Sequence, residues 1–194
     1  MGIKFYDNRL IVPNKCGTRY LDKIFPNPQI LKYWEVLDSQ RYIHPQYHFI
    51  YREPYEWMVS ALHTEILNSV HPESDDITET VLNLFLSPLG STHWVSNIFE
   101  LLYGVYNYRT KSINVLNLKD LSGFLSESGY ELPKYEPEEY TFRYVSDWKS
   151  KDEIVEMVQR DYPQHWSSLM ERIEKERYYY DLLERREKQI KPII

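Results

Sequence analysis

A chain of 194 residues has room for one substantial hydrophobic core, and we expect a single domain across residues 1–194. Its 42% hydrophobic and 15% aromatic content is typical of a folded globular protein and argues against disorder. The net charge of −6 excludes a general electrostatic footprint for nucleic acid, so an anionic ligand would need a local positive pocket. The apolar runs are shorter than a membrane span and residues 1–10 lack a signal-like core, so we expect a cytoplasmic protein without membrane contact.

Short apolar runs alternate with helical patterns along most of the chain. Three runs have the length and composition of buried strands: residues 10–12, 47–51 and 112–118. Four helical patterns are bounded on at least one side by proline or glycine: residues 19–25, 55–67, 77–86 and 119–128. The run 30–37 fits either a strand or a short helix, because its periodicity does not decide.

Strands that alternate with helices predict an α/β fold with a mainly parallel sheet. We place the cofactor-binding core of this domain at about residues 8–130. The rest, 131–194, is predicted to be a long loop followed by charged helices with an interruption at Pro163. The tyrosine run 178–180 in the last helix is expected to pack against the core.

The turn between the first predicted strand and the first helix has the features of an anion-binding loop. A strand, a glycine-containing turn and a helix in succession aim backbone N–H groups at an anion. Lys15 adds a positive charge and Thr18 adds a hydroxyl donor. Cys16, the single cysteine, is expected to fill space rather than act as a nucleophile, since no obvious base accompanies it. The alternative is an ordinary turn with a surface lysine.

A second candidate anion site lies at the end of the predicted strand 47–51. Arg52 follows that strand, at the edge where ligands of open α/β sheets collect. Ser60 is two turns into the next helix, so its hydroxyl and the guanidinium can share one phosphate. The alternative is a strand-end arginine that pairs with Glu53 or Glu56.

Together the two stretches, NKCGTRYL and YREPYEWMVSAL, resemble the cofactor-binding segments of the sulfotransferase family. The resemblance implies that residues 15–19 hold the 5′-phosphosulfate of 3′-phosphoadenylyl sulfate (PAPS). It also implies that Arg52 and Ser60 hold the 3′-phosphate. Fainter similarities at residues 92–94, 114–125 and 154–162 extend it to about residues 10–162.

Two positions of the loop depart from the commonest family pattern. Asn14 stands where proline is usual, and Arg19 stands where many members have a second threonine. A Gly-Thr-Arg sequence like that of residues 17–19 is nevertheless similar to the heparan sulfotransferase-like members. The loop residues that carry the resemblance are Lys15, Cys16, Gly17, Thr18 and Arg19.

The resemblance implies a PAPS-dependent sulfotransferase with a three-layer, P-loop-like or Rossmann-like core. Its acceptor would be a hydroxyl on a carbohydrate or a small polar molecule. Lys15 would stabilise the leaving phosphate. Glu35 would be the catalytic base because it follows residues 27–30 at about the offset at which a glutamate follows a His-Pro-x-Val-like segment in the Gly-Thr-Arg members, with Asp38 and His44 as competitors. His93 is a candidate for the acceptor pocket, and residues 140–144 are a candidate cofactor-covering loop.

Three further expectations limit the function. No metal is expected, since Pro45 disfavours a helical metal-binding pair of His44 and His48. A Walker A sequence is missing, which disfavours a small P-loop kinase. A non-catalytic nucleotide-binding interaction protein on a degenerate sulfotransferase scaffold is the main alternative to an enzyme.

Overall fold

The central strand of the sheet is the one that leads into the candidate anion loop. The computed structural model describes residues 2–7, 9–32, 48–69, 77–87, 114–133 and 150–190. Within them a five-stranded sheet has the order β3-β1-β2-β4-β5. The strands are β1 (Gly2–Tyr6), β2 (Leu10–Pro13), β3 (Gln29–Lys32), β4 (His48–Tyr51) and β5 (Asn114–Asn117). The apolar residues of β2 at positions 10–12 are fully buried, as expected for a strand covered on both faces.

Six α-helices accompany the sheet in this part of the chain. They are α1 (Thr18–Ile24), α2 (Pro54–Ser69), α3 (Ile77–Leu86), α4 (Leu121–Glu127), α5 (Lys151–Asp161) and α6 (Pro163–Ile190). A short 3₁₀ turn, Leu118–Asp120, links β5 to α4. The mixed α/β class and the charged C-terminal helical segment are therefore confirmed, whereas the three-layer, P-loop-like or Rossmann-like core stays a prediction.

The expectation of a mainly parallel sheet is wrong, because the sheet is mixed. β2 pairs with β4, and β4 with β5, in parallel. β1 instead pairs antiparallel with both β2 and β3. The cause is a tight turn after Tyr6, where Asp7 has a φ of 49° and the Arg9 N–H donates to the Tyr6 carbonyl oxygen (3.0 Å). A turn this short can join only antiparallel neighbours.

β1 also positions the first helix. The Lys4 ammonium forms an ion pair with Asp22 of α1 at 2.6 Å. The Tyr6 hydroxyl lies within hydrogen-bonding distance of the Asp22 carboxylate (2.9 Å) and of the Thr18 carbonyl oxygen (3.1 Å). The start of α1, and with it the end of the candidate loop, is therefore held by a strand that precedes the loop in the sequence.

The largest buried side chains of the first long helix pack on the sheet and complete the core. Trp57, Met58 and Leu62 of α2 are at most 1% exposed. The helix α2 contacts α3, α5 and α6, so the C-terminal helices pack against the same element that follows Arg52. A capping box at Ser150 and Glu153 begins α5, and Pro163 begins α6 at a position where its missing N–H costs nothing.

Candidate functional site

The loop between β2 and α1 is a tight turn with two left-handed residues. The Cys16 N–H donates to the Pro13 carbonyl oxygen at 3.2 Å, which closes the turn. Lys15 has a φ of 66° and Gly17 a φ of 87°, and α1 begins at the next residue, Thr18. The predicted strand, turn and helix succession is therefore confirmed.

Glycine is required at position 17 for a second reason, which is close packing. A Cβ atom added there would lie 2.7 Å from Leu118 Cδ1 and 3.4 Å from Leu121 Cδ2. These leucines belong to the segment that follows β5, so the loop lies directly against the carboxyl end of another parallel strand. A side chain at this position would push the two segments apart.

The Lys15 side chain lies against α2 instead of extending into solvent. Its ammonium donates to Thr64 Oγ1 at 2.6 Å, and the Thr64 hydroxyl in turn donates to the Ser60 carbonyl oxygen at 3.1 Å. Ser60 and Thr64 are one helical turn apart, so they share the face of α2 that the ammonium contacts. A second contact joins the same elements, because Trp57 Nε1 donates to the Asn14 carbonyl oxygen at 2.9 Å.

Positive charges surround the Lys15 ammonium. The pKa of Lys15 is lowered to about 8, first by burial and then by the charge of Arg19. Glu65 opposes this effect, while Lys151 and Arg52 add to it. Four cations from three segments of the chain thus lie close enough to repel one another, which makes this edge of an acidic protein a local positive pocket.

Arg52 lies at the carboxyl end of β4 and pairs with an acidic residue of the next helix. Its Nε is 3.3 Å from Glu56 Oε2, and Lys119 Nζ is 4.0 Å from the other oxygen of the same carboxylate. Glu53 caps α2 instead, because its carboxylate accepts the Glu56 N–H at 2.8 Å. The sequence offered Glu53 or Glu56 as the partner of Arg52, and in the structure the ion pair forms with Glu56.

The single cysteine is a buried space-filling residue. Cys16 is fully buried, and burial raises the pKa of its thiol well above the ordinary value, although the charge of Arg52 opposes this. A thiol with a raised pKa holds too little thiolate to act as a nucleophile. Its closeness to Arg52 places the guanidinium beside the loop.

Some of the residues predicted for the site lie close together in the structure, and the others lie outside the described residues. The structure brings the loop 15–19, Arg52 and the Ser60 face of α2 together at the carboxyl ends of β2 and β4. Several predicted residues lie outside the described ranges: Glu35, Asp38, His44, His93 and the segment 140–144.

The C-terminal helix contributes residues that sequence reasoning did not assign to the site. Asn117, the last residue of β5, donates its side-chain amide to the Tyr180 hydroxyl at 2.7 Å. The Tyr180 ring packs edge-to-face on Tyr51, the last residue of β4, with centroids 5.3 Å apart. Arg177 Nη2 lies 2.9 Å from the Glu53 carboxylate. The tyrosine run was expected only to pack, but α6 braces the strand ends that carry the site.

A separate groove lies between α3 and α6 and shares no residue with the loop. Its volume is about 440 Å³, and it is lined by Leu86, Ser168, Glu171, Arg172 and Lys175. The Arg172 guanidinium donates to the carbonyl oxygens of Leu86 and Ser87. It therefore satisfies the C-terminus of α3, and its role in this groove is structural.

The described ranges contain neither a metal-binding cluster nor a membrane-spanning helix. Within them, no cluster of three or more His, Cys, Asp or Glu side chains could hold a metal ion. None of the helices in that part of the chain is both long and apolar enough to span a bilayer. Comparison of the sequence and fold with protein-family models, curated proteins and solved structures gives no match.

Proposed function

We propose that this protein is a PAPS-dependent sulfotransferase whose donor binds at the loop 15–19 and Arg52. The observation that supports this most is the gathering of Lys15, Arg19 and Arg52 around a glycine turn at the carboxyl ends of two parallel strands. Parallel sheets bind ligands at this edge. The two sequence stretches occur in the same order as in sulfotransferases, and because of this similarity we propose PAPS as the anion.

The cluster of cations supports the proposal, because sulfuryl transfer needs positive charge beside the leaving phosphate. When the sulfuryl group moves to an acceptor hydroxyl, negative charge develops on the leaving phosphate. The Lys15 ammonium is half-buried and destabilised by neighbouring cations, so a phosphate beside it would be strongly favoured. Binding would therefore raise the pKa of Lys15 and take up a proton near pH 8. The acceptor class remains a carbohydrate or small polar hydroxyl, with Glu35 as the proposed base.

Nucleotide binding is the first test. Adenosine 3′,5′-bisphosphate, the product nucleotide, should raise the melting temperature, since a ligand at one hundred times its Kd stabilises by about 2.7 kcal/mol. Lys15→Ala and Arg52→Ala should each abolish the shift. Lys175→Ala and Arg160→Ala remove the same charges from outside the site and should leave the shift intact. Failure of the wild type to respond at millimolar nucleotide would refute the proposal.

Turnover separates the enzyme from a nucleotide-binding interaction protein. Radiolabelled sulfate should pass from PAPS to an acceptor in an extract when wild-type protein is present, and not with Lys15→Ala. Transfer that survives Glu35→Gln would remove Glu35 as the base and leave the enzyme standing. Binding of nucleotide without any transfer would favour the interaction protein, and preference for ATP over PAPS would favour a kinase.

A further inference from the structure

Glu56 is the acidic residue that pairs with two cations at the ends of β4 and β5, Arg52 and Lys119. Its side chain is 44% exposed, and its two carboxylate oxygens face different cations. Arg52 Nε lies 3.3 Å from one oxygen and Lys119 Nζ lies 4.0 Å from the other. These cations belong to different segments, one after β4 and one after β5, so Glu56 bridges the ends of two neighbouring strands.

The electrostatic surroundings of Glu56 extend to a third cation. Burial and then the charge of Arg52 lower the pKa of Lys151, and the charge of Glu56 opposes this. The neighbouring acid, Glu53, cannot serve in its place. One Glu53 oxygen accepts the Glu56 N–H and the other accepts the guanidinium of Arg177. Glu56 is therefore the carboxylate that offsets Arg52 and Lys119, while Glu65 acts on Lys15 and Asp152 acts with Glu56 on Lys151.

We propose that Glu56 is an internal counter-ion that an anionic ligand displaces from Arg52. The inference rests on the anion site of the proposed function, but it needs neither the nucleotide nor the catalytic step. In the free protein the carboxylate contacts the Nε of the guanidinium, a donor that a phosphate or sulfate ester would use in its place. Glu56 thereby lowers the affinity of the site for anions and keeps Arg52 neutralised until a ligand binds.

The strengths of the two pairings favour this exchange. An ion pair of partly exposed groups contributes little, because water solvates both charges well. A phosphate group carries more charge than a carboxylate and can accept two parallel N–H bonds from one guanidinium. Displacement thus exchanges a weak contact for a stronger one, and the released carboxylate regains its hydration.

The test is the sign of the affinity change in Glu56→Gln. The glutamine keeps the shape and an acceptor oxygen for Arg52 Nε, but it removes the charge. We expect inorganic pyrophosphate and adenosine 3′,5′-bisphosphate each to bind about threefold to fivefold more tightly by calorimetry in low salt, the size that a partly exposed ion pair supports. The gain should shrink as salt is added. Glu127→Gln is the matched control, since Glu127 is an exposed residue near the far end of α4.

Each result decides the inference. Equal or weaker binding by Glu56→Gln would overturn it and would make Glu56 a residue that positions Arg52. An equal gain in Glu127→Gln would overturn it too, as a general effect of net charge. If pyrophosphate binds more tightly to Glu56→Gln than to the wild type while the nucleotide binds to neither, the inference about Glu56 is supported and the sulfotransferase proposal fails. If neither probe binds to either form, both fail.

Discussion

Replacement of Gly17 by alanine tests the close packing of the candidate loop. Gly17 combines a φ of 87° with a position at which a Cβ atom would lie 2.7 Å from Leu118 Cδ1. Alanine would therefore face a backbone penalty and a steric penalty at the same time. Gly129 offers a matched control, because its φ is 83° and a Cβ there would meet no atom within 4 Å.

The two penalties have separable magnitudes. A left-handed backbone costs a residue with a side chain about 1–2 kcal/mol. An added methyl in a packed site costs about 1–3 kcal/mol, and the lower half of that range applies here because the terminal methyl of a leucine can rotate away. We therefore expect Gly17→Ala to lower the free energy of unfolding by about 2–4 kcal/mol, and Gly129→Ala by about 1–2 kcal/mol.

Urea denaturation measures both variants against the wild type. The midpoint should fall for each, with an unchanged slope, and further for Gly17→Ala. In a Leu118→Ala background the additional cost at position 17 should disappear, because the obstructing methyl is gone. Equal destabilisation at the two glycines would refute the reasoning, since it would mean that the Leu118 contact carries no energy.

Two further predictions concern the hydrogen bond between Tyr180 and Asn117 and the protonation of Lys15. Tyr180→Phe should lower the free energy of unfolding by about 0.5–1.5 kcal/mol, because it removes the hydroxyl that accepts the hydrogen bond of the buried Asn117 amide, whereas Tyr178→Phe, at a position 61% exposed, should change it little. An unchanged free energy of unfolding in Tyr180→Phe would contradict the role of Tyr180 in stabilising the strand ends. The affinity for adenosine 3′,5′-bisphosphate should fall as the pH rises through about 8 in the wild type, because Lys15 loses its proton there, and a calorimetric pH series should show no such fall in Lys15→Arg. A fall that persists in the arginine variant would assign the titration to another group.

The pKa of Lys15 also determines a pH dependence of stability whose sign is fixed. Its pKa in the folded protein, about 8, is below its ordinary value of 10.5. Between these values the unfolded chain binds more protons, so the contribution of Lys15 to stability rises with pH across that window. The difference in unfolding free energy between wild type and Lys15→Met isolates this contribution from the other groups that titrate in alkali.

Local signals in the sequence located most helices and strands correctly. Pro54 and the apolar spacing after it predicted α2, and the predicted helix 77–86 coincides with α3. Proline and glycine act on their immediate neighbours, so their effects can be read without knowing the fold. The first strand, β1, was not predicted, because its five residues include a glycine and a lysine and form no continuous apolar run.

The antiparallel direction of β1, and which residues lie together in the site, depended on tertiary structure. Lys15 meets Thr64 across 49 positions, and Asn117 meets Tyr180 across 63. Periodicity reports which face of an element is apolar, but it does not report which polar side chains of distant elements will meet. Lys151 and Lys119 joined the site in the same way, and neither carries a local sign of its role.

By itself, the sequence determined the mixed helix and strand content, the glycine turn after β2, the position of Arg52 directly after β4 and that of Ser60 within α2. Each of these follows from the residue and its near neighbours. Only the tertiary structure decided that β1 makes the sheet mixed, that Lys15 reaches α2, and that Glu56 lies between Arg52 and Lys119. The physical reason is that sheet pairing and helix packing bring these groups together from separate segments, and the charges act on one another only at that short range.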